Sequence, residues 1–433
     1  MTKTNTTATE LIDFIACAAS PFHVVEKSAE RLERAGFQEL HPAAAWRLFP
    51  GGRYFVKVYG STLLAFTLGE KSLAGCGAPL RMAAAHTDFP CFRLKPAAGI
   101  ASDGYGSLNV EPYGGLILRT WLDRPLSLAG KIMLRGSDAF HPEEKLVDFP
   151  KPLMTIPSLA IHMDREVNKS GALNAQKDML PLAALVGAEA AKSDFFLPWL
   201  AASCGVEPTA ILSYDLSAYP CETGCTFGMD DAFISSPRLD NLTSVLACLK
   251  GIEEARPDGG LRLIALFDNE EVGSRTKQGA GSTVLSDVLR RIYQEFTDES
   301  DALIRALSDG FLLSVDVAHA VHPSHAAKSD PNVRPTLGAG VVLKQAASQS
   351  YAGDAEAVAI VRALAEEHAI PWQRFVNRAD SRGGSTLGAI ASSFVPVRTM
   401  DIGAPLLAMH SARETMGCAD QDALERLLKV FLA

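Results

Sequence analysis

LIALFDNEEVGS, residues 263–274, runs apolar for five residues and then sets three carboxylates, Asp268, Glu270 and Glu271, within four positions. A short apolar run that stops at clustered acids reads as a buried strand delivering side chains to the carboxyl edge of an α/β sheet. Carboxylates this close repel one another unless a cation or a shared proton holds them. The stretch therefore predicts a sheet core at one end and a positively charged occupant at the other.

The flanking sequence repeats this grammar. Leu239–Glu254 (LDNLTSVLACLKGIEE), just past Pro237, reads as an amphipathic helix, and Ser282–Phe296 as another. Phe311–Val315 (FLLSV) reads as a strand ending in Asp316, Val397–Ile402 as a further strand, and Asp354–His368 and Asp420–Phe431 as helices. Upstream, Thr9–Ala19 and His23–Ala35 have helical spacing, with Ser20-Pro21 between them. Tyr54–Leu68 reads as a hairpin around Gly60-Ser61, and Leu80–Ala85 as a strand running into His86-Thr87-Asp88. From Lys95 to Pro157 the texture changes to short alternating runs (LNVEPYG, LILRTWLD) broken by glycine and proline, a β-rich pattern. The expected fold is α/β: a mostly parallel central sheet with helices on both faces, built from residues 1–92 together with 236–433, plus an inserted β-rich domain over 93–235.

The bulk properties narrow the partners. The chain has 433 residues, 47% of them apolar and 21% charged, a globular composition. Its net charge of −9 argues against nucleic acid or an anionic membrane as the main partner. The opening MTKTNTTATE lacks the apolar stretch of a secretory signal, and Leu180–Leu200, the nearest approach to a membrane span, is interrupted by Glu189, Lys192 and Asp194. Eight scattered cysteines fit reduced thiols, so a cytoplasmic location is expected. Cys221 and Cys225 form a CETGC pair with no second pair nearby to complete a structural zinc site.

Four apolar runs end in residues able to bind a metal: His86, Glu270-Glu271, Asp316 and His410; Asp240 opens a helix. Taken singly, these are a cap, a surface turn or a satisfied core histidine. Taken together, they lie where an open sheet brings distant residues to one edge. Histidine and carboxylate suit zinc or a similar first-row ion. Two ions are expected, with Asp240 shared and His86, Glu271, Asp316 and His410 completing the set. Glu270 is then left off the metals as general base. Asp88 reads either as a turn acid or as the carboxylate that orients the metal-bound imidazole.

HTDFPCFRLKP (86–96), RLDNL (238–242), FDNEEVGS (267–274), DVAHAVHP (316–323) and AMHS (408–411) resemble, in order, the motifs of the M18 metallopeptidases, the aspartyl aminopeptidases and their bacterial relatives. The resemblance implies a dinuclear zinc aminopeptidase, with cobalt or manganese as alternatives at one site. It also implies a homododecamer assembled from dimers through the insertion. One ion would be held by His86, Asp240 and Asp316, the other by Asp240, Glu271 and His410. Glu270 would be the base, Asp88 would orient His86, and the peptide after Asp240 would be cis. His162 and His319 would touch substrate, His162 from a neighbouring subunit. Lys344 would face an acidic side chain at the substrate's N-terminal residue, with Tyr351 beside it. Ser381–Leu387 (SRGGSTL) matches the family's glycine–threonine loop in part. A two-metal deacylase and a catalytically silent scaffold or cargo protein on the same fold are the alternatives.

Overall fold

A computed structural model of the chain describes residues 6–71, 79–169, 171–187, 194–381 and 383–433. Cys76, the acid and lysine interruptions at 189 and 192, and Arg382 of the SRGGSTL loop lie outside the described residues. The described residues form two compact units. One comprises Met1–Asp88, Gly224–Met409 and Glu414–Ala433; the other comprises Phe89–Thr223 with His410–Arg413.

The first unit is built on a nine-stranded sheet. Its strands, in spatial order, are Gln38–Glu39, Arg53–Val58, Thr62–Leu68, Leu261–Phe267, Leu80–His86, Phe311–Val315, Arg398–Gly403, Val341–Gln345 and Trp372–Val376. The four from Leu261–Phe267 to Arg398–Gly403 are parallel to one another, and both Thr62–Leu68 and Val341–Gln345 run against them. Every residue of Leu261–Phe267 is buried. Leu261, Leu263, Ala265 and Phe267 face one core, with Leu285, Leu289 and Ile292 of the helix Val284–Gln294 and with Leu387 and Ala391 of Leu387–Phe394. The intervening Ile264 and Leu266 face the opposite layer, where Leu239–Glu254 packs on Cys418–Leu432. A strand covered on both faces has no polar side, which is why LIALF does not alternate. Each large apolar side chain buried there contributes roughly 1.5–3 kcal/mol. A register slip would turn them all over, so the acids that follow are fixed in place.

The helix expected from His23 begins two residues earlier. It spans Pro21–Arg34, with the Ser20 hydroxyl accepting from the His23 amide and Pro21 in the first turn. Proline lacks an N–H that this position leaves unbonded in any case, so it opens the helix instead of separating two.

The second unit carries a six-stranded antiparallel sheet in the order His141–Asp148, Leu126–Asp138, Ile211–Pro220, Cys91–Ser102, Tyr105–Tyr113, Leu182–Leu185. It encloses its own core around Phe92, Trp121, Ile132, Ile156 and Phe196. The break at Thr223 falls before residue 235 for a physical reason. Cys225–Phe227 and Phe233–Ser236 pair with each other, and Phe233–Ser236 pairs with Glu414–Gly417, in a small sheet of the first unit.

Candidate active site

The first unit gathers its acids at the carboxyl edge of the parallel strands, where Leu80–His86 lies between Leu261–Phe267 and Phe311–Val315. The chain crosses from Leu261–Phe267 over Leu80–His86 to Phe311–Val315, which brings residues distant in sequence to one edge of the sheet. His86 ends its own strand and is buried. Its Nε2 lies 3.4 Å from Asp240 Oδ1 and 3.5 Å from Asp316 Oδ1. Its Nδ1 donates to the Asp88 carbonyl at 2.9 Å, the tautomer that turns the Nε2 lone pair toward the two aspartates.

The Asp88 carboxylate also reaches the turn after Leu261–Phe267. Its Oδ1 accepts from the Glu270 amide and its Oδ2 from the Glu271 amide, both at 3.1 Å. The carboxylate therefore pins the turn that follows Leu261–Phe267, and its Oδ1 also stands 3.4 Å from His86 Nδ1, beside the carbonyl that accepts from the ring. Asn269 adopts a left-handed conformation (φ 64°), and Glu270–Val272 form a single 3-10 turn. This removes the strand alternation that would throw the two glutamates to opposite faces. Both now lie with His86, their oxygens and its ring nitrogen all within 4.8 Å of one another. Asp268 turns away: its Oδ1 accepts from the Asn269 amide at 2.7 Å, and its own amide donates to Thr62 Oγ1 at 3.0 Å. Asp88→Ala is expected to lower kcat/KM about 10- to 100-fold. Faster amide exchange at residues 270 and 271 is the check that the loss comes through the turn.

Asp240 sits in Leu239–Glu254 without helical geometry (φ −78°, ψ 107°), and the peptide to Asn241 is cis. Its amide donates to Glu414 Oε2 at 3.0 Å, and Asn241 Nδ2 donates to the Val315 carbonyl at 3.0 Å, so the turn is tied to the neighbouring strand end. Asp316 follows Val315, and its Oδ1 accepts from the Val317 amide at 2.7 Å. Buried Lys344 donates to Asp316 Oδ2 at 3.2 Å and to the Val317 carbonyl at 2.9 Å. Its ammonium stands 5.3 Å from the centre of the Tyr351 ring. Tyr351 and exposed His319 both lie against Phe375, with ring centres 6.0 and 5.9 Å away. Sequence reading missed Phe375, whose strand WQRFV carries no signal beyond its apolar pattern.

Two expected residues belong to the second unit. His410 is half-buried there, with Nδ1 bonded to the Gly115 carbonyl at 3.0 Å. His162 is exposed, among the exposed apolar side chains of Leu159, Ile161 and Met163.

The electrostatics of the first unit's cluster call for a cation. Burial pushes Glu270 up to about 8, and burial with the nearby Asp240 charge pushes Glu271 well above the carboxylate range. Burial works against a charge on His86 too, but Asp240, Asp316 and Asp88 override it and hold the imidazole well above its ordinary value. Asp316 is the exception: burial raises it, but the Lys344 charge, His86 and the Val317 amide together outweigh burial and hold it well below the usual range. Unit like charges about 4 Å apart at an effective dielectric of about 20 repel by about 4 kcal/mol. A divalent ion at His86, Asp240 and Asp316, whose donor atoms all lie within 4.8 Å of one another, removes that cost. The donor set, one imidazole with carboxylates, suits zinc or a similar first-row ion.

The model of the aminopeptidase I zinc metalloprotease (M18) family matches residues 14–432. A curated relative from Clostridium acetobutylicum, named probable M18 family aminopeptidase 2, is 42% identical over 98% of both chains. Among solved structures, the Ape4 and Nbr1 complex contains a chain of 33% identity with a TM-score of 0.93, covering 98% of this chain and 85% of that one. The S. cerevesiae mApe1 dodecamer matches at 27% identity and a TM-score of 0.83, covering 99% and 96%.

Proposed function

The chain belongs to the M18 family of zinc metalloprotease aminopeptidases, and on that premise we propose that it is a two-zinc enzyme that removes acidic N-terminal residues from peptides, with Glu270 as its base. The observation that carries this reading is the meeting of His86, Asp240 and Asp316 from three separate segments, with Glu270 and Glu271 beside the same imidazole. His86, Asp240 and Asp316 would hold one ion; Asp240, Glu271 and His410 would hold the other, as the AMHS motif implies. Bound there, the ions would act as Lewis acids on the scissile carbonyl and on water. Glu270 takes the proton of the attacking water and delivers it to the leaving amine. Lys344 reads the substrate's first side chain. Two of its three donors are bonded to Asp316 and Val317, which leaves one for an incoming carboxylate.

The assembly proposed is a homododecamer of dimers joined through the second unit, in which His162 touches substrate in a neighbouring copy. The dodecameric S. cerevesiae relative and the exposed apolar side chains around His162 support it. No helix among the described residues is long and apolar enough to cross a membrane, and a cytoplasmic location is proposed. A panel of aminoacyl substrates assayed with zinc, cobalt and manganese tests the reading. Asp and Glu substrates are expected to exceed Leu in kcat/KM by about 10- to 100-fold, the worth of one hydrogen bond to a charged group. Hydrolysis of N-acyl amino acids in place of free-amine peptides would assign the deacylase alternative instead.

A further inference from the structure

Lys344 is 2% exposed, although nothing about reading a substrate requires a buried lysine to bond a metal-ligand candidate. The two oxygens of Asp316 face opposite ways. Oδ1 looks to His86 Nε2 and accepts from the Val317 amide, whereas Oδ2 is taken by the Lys344 ammonium. The lysine is itself braced. Its second bond, to the Val317 carbonyl, closes a ring on the residue after Asp316. Its flank is the Tyr351 ring, and the next residue, Ala352, donates its amide to Asp401 Oδ2 at 2.5 Å. Asp401 is fully buried and also accepts from the Ser314 hydroxyl and, at 2.7 Å, from Thr386 Oγ1. It thereby ties the strand that leads to Asp316, the Tyr351 segment and the start of Leu387–Phe394 to one carboxylate.

We propose that Lys344 is a positioning residue for the reaction as well as a reader of substrate: by holding Oδ2 it makes Asp316 a one-oxygen ligand to the ion beside His86. The inference rests on the two-metal reading. A carboxylate free at both oxygens can close on the ion through both, which raises the coordination number and takes up a position meant for substrate. Fixing one oxygen with a lysine keeps that position open. The effect does not depend on which residue the substrate carries, and this separates it from recognition of an acidic side chain.

The test uses the full-length protein stripped of metal and reloaded with Co2+, whose visible absorption weakens as its coordination number rises. In Lys344→Met the absorption per bound cobalt is expected to fall in the absence of substrate. With Leu substrates kcat is expected to drop about tenfold or more, with KM nearly unchanged, since an ill-placed ligand acts on the chemical step. With Asp substrates a further loss appears in kcat/KM. Lys344→Gln, which keeps a donor and is smaller, should give an intermediate absorption, and it carries the same test if the methionine is not tolerated. Wild-type absorption and wild-type turnover of Leu substrates in these variants, with only Asp substrates affected, would leave Lys344 a reader and overturn the positioning role. A wild-type protein that takes up no cobalt would instead remove the metal reading on which the role depends.

Discussion

Glu270→Gln is expected to retain the fold and the metal content of the parent and to lose about a hundred- to ten-thousandfold in kcat, the range for removing a positioned acid–base group. The substitution keeps the shape of the side chain and removes its ability to carry a proton. The Glu270 amide still donates to Asp88 Oδ1, so the turn that also places Glu271 is undisturbed. The loss should appear equally in kcat and kcat/KM, as for an interaction present only in the transition state. Metal analysis of the same preparation supplies the control. Parental turnover in the glutamine variant would show that the proton goes elsewhere.

Metal removal should make stability depend on pH in a definite direction. Glu270 has an ordinary value near 4.5 and about 8 in the fold, and Glu271 and His86 are displaced upward as well. A group whose value is raised by folding binds more protons in the native state, so its stabilisation is present below the unfolded value and is lost as pH climbs toward the folded one. The metal-free protein should therefore lose Tm steadily between about pH 4.5 and 8. Asp316, displaced downward, acts in the opposite sense but below that window. In the loaded protein the ions take the place of those protons, so its Tm should change much less over the same range. The gap between loaded and metal-free melting temperatures then widens with pH. A gap that stays constant or narrows between pH 5 and 8 would mean that Glu271 and His86 are not ligands and that no ion stands beside Glu270.

The physical logic of the site explains why so much of it was legible. A buried run that ends in acids, such as LIALFDNEE, FLLSVD or LRMAAAH, marks the edge of a covered sheet, because a charge cannot follow until the core stops. Asp401 breaks this rule, being buried in the middle of its strand, and nothing in the sequence marks it, since TMDIG continues apolar on both sides of it. The helix Ala302–Asp309, the strand Trp372–Val376 and the helix Leu387–Phe394 were also not read. Each is eight residues or fewer, too short for a period to stand out.

Composition, the order of the motifs and the burial pattern of the strands were enough to determine the α/β core, the interrupting β-rich segment and the identity of the acids at the sheet edge. These are properties of local periodicity and of where apolar runs stop. Only the tertiary structure decided which contacts hold each acid, because these join residues far apart in the chain. Asp88 reaches 182 residues along the chain to the Glu270 amide. Lys344 takes one oxygen of Asp316, and Asp268 turns back on its own loop. Three carboxylates in LIALFDNEEVGS look alike in sequence; they differ because Asp268 bonds back to the Asn269 amide while Asp88 holds the Glu270 and Glu271 amides, and direction is not written in residue type.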